Sequence, residues 1–356
     1  MRKSTGSKPA EGGLVSGRVL TGFGARLLAG RGVPPANARY VAESAVLNEA
    51  AGVTTHGVVQ FFYFDKQVGP VIDPSAEPKL VLDRSAVALV DGNGSFAQLA
   101  MRLAARIAAG KARRFGIGLV CVRNTSWLAG LGVKLLPLVR QGFFAELWAG
   151  SAFKYVAPFG GCEARLGTNP IAFGFPVPGR PPVICDFSTS TVARGRAGLM
   201  IHAGDRAPEK IFLDGRGRAT DNSAVLEAGG SIMLLGGEHY GYKGFGLSLW
   251  VEALGLMAGN RYEPGRELRE SFALMLINPA AFGEADFYSK EVNRFVEIIK
   301  GGRRRPGVKE IRLPGERSFR SLARSEGLGI FLSGETLARL NDLAARNGLK
   351  PISLKS

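Results

Sequence analysis

The chain has 356 residues, 46% hydrophobic and 21% charged, a balance that suits a globular protein with a large core and excludes a disordered or fibrous one. Its formal net charge of +16 raises nucleic-acid binding, but the densest basic run is Arg303-Arg304-Arg305, with no helix-turn-helix, zinc-finger or RNA-binding motif around it. A basic surface serving anionic small molecules accounts for the charge, and the longest apolar stretch, Phe245 to Ala258, is too short to cross a bilayer.

Residues 1–18 read as a polar, Gly-rich disordered tail and carry no signal peptide. A helix is expected over about Val19–Ala29, and Pro34-Pro35 opens a second over Ala36–Ala50, which delivers the chain to Thr55-His56-Gly57. A strand at Ser85–Asp91 turns at Gly92-Asn93-Gly94 into a helix over Phe96–Arg114, with Leu99, Leu103, Ile107 and intervening alanines as its apolar stripe. Ile117–Val122 and Phe143–Ala149 read as buried strands, and Ile171–Val177 with Pro182–Asp186 as a hairpin. After a polar stretch, Arg194 to Ala228, come an apolar helix at Leu247–Met257 and a buried strand at Phe272–Ile277. Helices near Val292–Lys300, Phe319–Ser325 and Glu335–Arg346 close the chain. Without βαβ regularity, this is a mixed α/β sheet rather than a doubly wound one. Cys121, Cys162 and Cys185 lack metal spacing and read as reduced, buried cysteines of a cytoplasmic protein.

His56 is one of three histidines and lies between a hydroxyl and a glycine, so a catalytic proton carrier and a satisfied structural histidine are even readings. Gly92-Asn93-Gly94-Ser95-Phe96-Ala97 fits the dinucleotide fingerprint G-x-G-x-x-A. Against that reading, the next strand ends in Arg123-Asn124 instead of an acidic residue, and Asp91 would face the pyrophosphate. Four further segments group hydroxyls, carboxylates and cations at turns: Gly167-Thr168-Asn169-Pro170, Asp186-Phe187-Ser188-Thr189-Ser190, Tyr242-Lys243-Gly244-Phe245-Gly246 and Pro314-Gly315-Glu316-Arg317.

In this order these motifs, with Arg123-Asn124-Thr125, Pro158-Phe159-Gly160-Gly161 and Ala193-Arg194-Gly195, resemble the malate/L-lactate dehydrogenase superfamily of the non-Rossmann type. The resemblance runs from about Val19 to the last helix. It implies the mixed-sheet L-sulfolactate dehydrogenase-like fold, NADH or NADPH as cofactor, and a homodimer acting on a small-molecule substrate. By that resemblance His56 is the proton donor or acceptor, with Thr55 supporting it. Ser151, Asp186, Phe187, Ser188, Thr189, Ser190, Tyr242, Lys243, Gly315, Glu316 and Arg317 contact the cofactor, and no metal is involved. Thr168 and Asn169 join the substrate side. The arginines at 123, 194 and 196 tilt the choice toward NADPH.

Two positions depart from the family pattern. Gln60 stands where an arginine usually grips the substrate carboxylate, and Trp127 where a second histidine is common. Losing the arginine forgoes a charge-assisted hydrogen bond worth about 1.5–3 kcal/mol. Both changes fall on the substrate side, which implies an oxidoreductase with altered specificity for a keto or cyclic imine compound. The alternative is a dinucleotide-binding homologue that has lost its chemistry. The expected division is residues 19–120 with 270–356 as a helical substrate region, and 121–269 as the cofactor region.

Overall fold

The computed structural model describes residues 12–150, 153–261, 269–283 and 285–355. The backbone forms two compact units, residues 1–75 with 317–356, and residues 76–316.

In the first unit β1 (Gly13–Val15) leads into α1 (Gly17–Ala29), whose first turn is capped by Ser16 accepting from the Arg18 amide. Pro35 starts α2 (Pro35–Ala50), where a first turn loses nothing by lacking the amide hydrogen. Gly24 lets the helices close: a Cβ there would stand 2.5 Å from the Phe61 ring and 2.9 Å from Ala42 Cβ. A 3-10 turn at Thr54–His56 then connects to α3 (Gln60–Gln67).

The second unit begins with β2 (Lys79–Arg84), β3 (Val87–Asp91), α4 (Ala97–Phe115) and β4 (Ile117–Thr125). It continues with α5 (Gly132–Val139), β5 (Phe144–Gly150), β6 (Ile171–Phe175) and β7 (Val183–Phe187). The stretch after β7 holds α6 (Arg194–Ala203) and the short strands β8 (Phe212–Leu213), β9 (Ala219–Thr220) and β10 (Ser231–Ile232), which form a small sheet of their own. Then come α7 (Gly237–Met257), β11 (Glu270–Ile277) and α8 (Ala285–Lys300).

The main sheet has seven strands in the order β2-β3-β4-β11-β5-β6-β7. Its one parallel pair is β3 with β4, joined by α4, and every other neighbour is antiparallel. Alternation sends successive residues to opposite faces. Val120, Val122, Leu147 and Leu274 pack with α4 and α5, while Cys121, Trp148 and Ala273 pack with Val251, Leu254 and Ala258 at the α7 end. The surface of α4 that meets the sheet is made of alanines at 100, 104, 108 and 112, with Leu103 and Ile107 only partly buried at its side. Small side chains bring helix and sheet so close that a Cβ at Gly118 would lie 2.3 Å from the Ala108 carbonyl.

The chain returns to the first unit as α9 (Glu316–Leu328), β12 (Ile330–Leu332) and α10 (Gly334–Arg346). Ser321 and Ser325 of α9 donate to the Ala50 carbonyl at 2.8 and 3.1 Å, closing the C-terminal end of α2.

Several expectations need correction. Residues 12–18 are not tail: β1 pairs antiparallel with β12, and Gly17 already starts α1. The compact units change over at 75/76 and 316/317, and the expected division between substrate and cofactor regions lies at 120/121 and 269/270. A cut at 120 would divide β4, and β11, which starts at 270, lies between β4 and β5. Cys121 is buried and Cys185 half-buried, but Cys162 is exposed beyond the Gly160-Gly161 turn. Among the described residues no helix is long and apolar enough to cross a membrane.

Candidate active site

His56 sits in the 3-10 turn of the first unit, half-buried, where its Nδ1 shares a hydrogen bond of 2.8 Å with Thr55 Oγ1. Two buried side chains hold this turn from below. Glu49 accepts from the Val58 amide at 2.9 Å, and burial pushes its carboxyl up to about 7 against that bond. Gly57 is required by this contact, since a Cβ would fall 1.9 Å from Glu49 Oε2. Gln60 has no exposed surface, and its Nε2 donates to the His56 carbonyl at 2.6 Å. The amide expected at the substrate therefore braces the backbone of the histidine.

In the second unit, backbone contacts gather the expected cofactor segments. Thr189 donates its amide to the Thr168 carbonyl at 3.0 Å and its own carbonyl accepts from Leu235 at 2.9 Å. Gly244 lets α7 lie against this knot: a Cβ would stand 2.5 Å from Leu235 N and 2.7 Å from Thr189 O. Asn169, fully buried at a left-handed φ of 39°, donates to Ser248 Oγ at 2.9 Å and Glu252 Oε1 at 3.0 Å, fastening the 167–170 turn to α7. Pro314 accepts from the Ile184 amide at 3.2 Å, which brings the turn at Gly315 and Glu316 to the edge of β7. Glu316 there pairs with Lys300.

The hydroxyls of the 188–190 segment turn inward. Ser188 donates to the Ser190 carbonyl at 3.0 Å, Thr189 to the Thr168 carbonyl at 3.2 Å and Ser190 to the Val192 carbonyl at 2.8 Å. Thr189 and Ser190 are buried, so the surface of this segment is Phe187, Ser188 and backbone. Phe187 packs edge-on against Phe173 at 6.2 Å.

At the start of α7, Lys243 Nζ lies 5.3 Å from the Tyr240 ring and 6.0 Å from the Tyr242 ring, and Phe159 meets Tyr242 at 6.1 Å. A cavity of about 270 Å³ opens beside them, lined by Pro158, Phe159, Gly161, Met233, Leu234 and Glu238. Aromatic plates, a cation and the amino end of a 21-residue helix suit a ligand with planar rings and phosphates. The residues present thus fit a dinucleotide.

By contrast, the G-x-G-x-x-A turn is closed to phosphate. Asp91 accepts from the Asn93 amide at 2.8 Å, Asn124 Nδ2 at 3.0 Å and Arg123 Nε at 3.0 Å. Partial desolvation pushes its carboxyl up, and these donors outweigh that and hold it below the ordinary value. Strand β4 fills the turn, as a Cβ at Gly92 would lie 2.4 Å from Thr125 Cγ2. Ser126 Oγ accepts from the Ala97 amide at the start of α4 at 3.0 Å.

Asp186, the next-to-last residue of β7, accepts the Leu131 and Gly132 amides at 3.0 and 2.8 Å. Desolvation raises its carboxyl, while these amides and nearby Lys134 oppose the rise. Trp127 is half-buried in the loop before α5, and its carbonyl accepts from Gln98 Nε2 at 3.4 Å. His56, Thr55, Gln60 and Arg317 belong to the first unit, the remaining described site residues to the second, and Ser151 lies outside the described residues. Sequence reasoning missed Glu49 and Lys134. The signals were a carboxylate ending an alanine-rich helix seven residues before His56, and the one charged residue of Gly132–Val139.

The family model for malate/L-lactate dehydrogenase matches residues 15–341. A malate dehydrogenase of Pyrococcus abyssi is 31% identical over 94% of this chain and 95% of its own length. The structure of sulfolactate dehydrogenase from Methanocaldococcus jannaschii superposes with a TM-score of 0.84 at 25% identity, over 95% of this chain and 98% of that one. That of Δ1-piperideine-2-carboxylate reductase from Pseudomonas syringae pv. tomato gives 0.81 at 28% identity, over 93% and 99%. The mixed sheet, the closed glycine turn and this full-length likeness exclude a Rossmann fold: the chain belongs to the malate/L-lactate dehydrogenase family of oxidoreductases.

Proposed function

We propose that this enzyme moves a hydride between NADPH or NADH and the carbonyl carbon of a 2-keto acid, or the imine carbon of a cyclic imine acid. What carries the reading is the convergence of residues 167–170, 187–190 and 235–252 beside the Phe159 cavity, in a chain of this family. When bound, the nicotinamide supplies or accepts the hydride. Lys243 meets the phosphates, with Tyr242 and Phe159 as plates for the planar rings. Phe187, Ser188 and the backbone at 189–190 face the nicotinamide and its ribose, and Ser151, Gly315, Glu316 and Arg317 complete the cofactor contacts. NADPH is favoured because its extra phosphate suits a chain of net charge +16. Arg123 is committed to Asp91, which leaves Arg194 and Arg196 as the candidates to meet it.

On reduction, His56 gives a proton to the oxygen or nitrogen as the carbon receives the hydride, leaving a hydroxyl or an amine. Thr55 fixes the ring through Nδ1, while Glu49 and Gln60 hold the turn beneath it. Trp127 and Thr168 shape the substrate pocket. A second copy covers α7, whose Trp250, Leu249, Leu256 and Met257 are 47–58% exposed on a helix that is apolar nearly all round. The test is cofactor oxidation with pyruvate, oxaloacetate and Δ1-piperideine-2-carboxylate. His56→Ala is expected to lose at least 100-fold in kcat with cofactor affinity kept. Equal turnover by the variant overturns the assignment of His56.

A further inference from the structure

The geometry points to Lys134 as the cation that receives the acidic group of the substrate. The inference rests on the oxidoreductase reading above and names the substrate contact within it. A 2-keto acid brings a carboxylate that needs a positively charged partner, and Gln60 cannot serve: it is neutral, fully buried and spent on the His56 carbonyl.

Most basic side chains near the gathered segments already have carboxylate or aromatic partners. Arg123 pairs with Asp91, Lys154 with Glu252 at 3.2 Å and Lys300 with Glu316, while Arg194 lies 5.0 Å from the Tyr155 ring and Lys243 sits over Tyr240 and Tyr242. Lys134 differs. Its Nζ donates to the Gly130 carbonyl at 2.8 Å, and among the described residues that is its one hydrogen-bond partner, so two of its three donors remain for a ligand. Among those residues no carboxylate lies within ion-pair distance of it.

The position is also apt. Asp186 holds the Leu131 and Gly132 amides, so the ammonium and the end of the nicotinamide-facing segment flank one short stretch, residues 130–134. Helix α5 packs on β5, β6 and β7. The β5 and β6 residues in the cluster it joins are Ala145, Leu147, Ala149 and Ala172, all apolar, and from β7 Ile184 and Asp186 reach Gly132. Asp186 is therefore the titratable side chain among the described residues that faces Lys134. Burial pushes the Lys134 ammonium down to about 8 against the pull of Asp186. An anion arriving there would restore the charge that burial opposes.

The experiment uses the full-length protein saturated with whichever cofactor it binds, and oxamate, a 2-keto acid mimic, titrated calorimetrically from pH 6 to 9.5. Wild type is expected to bind oxamate below pH 8 and to weaken up to tenfold per pH unit above it. Lys134→Met should lose about 10–100-fold at pH 7 with cofactor affinity unchanged, which also shows that it folds. Lys134→Arg should retain binding and lose the decline above pH 8, a response that titration of Asp186 would not produce. Equal oxamate affinity in Lys134→Met, or no oxamate binding by a wild type that binds cofactor, overturns the proposal. Failure to bind either cofactor overturns the oxidoreductase reading instead.

Discussion

Glu49 shows how a single residue couples the histidine turn to pH. It is 6% exposed and its carboxyl is pushed from 4.5 to about 7 by burial, so the folded protein prefers it protonated. A carboxyl raised on folding stabilises most at low pH, and that contribution is lost as pH climbs from 4.5 through 7, to the extent of about 3 kcal/mol. Glu49→Gln keeps an acceptor for Val58 without a charge. Denaturant midpoints from pH 4.5 to 8 are expected to fall less steeply in this variant than in wild type; identical slopes would show that Glu49 titrates normally. The same scale shows what the sequence made legible. Motif order singles out His56, Asp186 and Lys243 in the sequence; that Gln60 is buried with its amide on the His56 carbonyl was not legible, because sequence position does not say which way a side chain turns.

At the scale of elements, α7 gathers the site, and Gly244 is the position that allows it. Alanine there would drive a methyl into backbone at Leu235 and Thr189, which have no rotamer to yield. Gly244→Ala is expected to cost about 1–3 kcal/mol of stability and at least tenfold in cofactor affinity, read by thermal melts and titration. Unchanged affinity would separate α7 from the cofactor. This helix was only half legible. Leu247–Met257 reads as helix, but Gly237–Gly246 carries four glycines and looks like a loop; packing on Thr189, Leu235 and Phe159 overrides that propensity. Helix α6 was hidden for a related reason, since it buries only Ala197 and Met200 and so shows no clear apolar stripe. Six strands of the main sheet, with stronger alternation and burial, were found within a few residues of their ends, whereas β2, exposed at every position, was not read at all. Strand β1, three residues long and paired only with β12, carried no such pattern.

The whole molecule carries an apolar surface that a lone copy leaves in water. Trp250 is 56% and Met257 58% exposed on α7, and Phe287 and Ile298 on α8 are 70% and 66% exposed. Such patches mark interfaces. Trp250→Glu is expected to move the protein from dimer toward monomer in light scattering; a wild type that is already monomeric contradicts the assignment. The mixed sheet followed from the lack of βαβ regularity and from the family resemblance, and order of motifs and net charge were readable because each is a property of the chain as a sequence. The division into units was not, since strand β11 reaches the sheet centre from far along the chain. The most direct measurement is a titration of wild type with NADPH and, separately, NADH, followed by cofactor fluorescence. Saturable micromolar binding of at least one, tighter for NADPH and weakened by Lys243→Met, is the predicted result. Binding of neither would contradict the account at its centre.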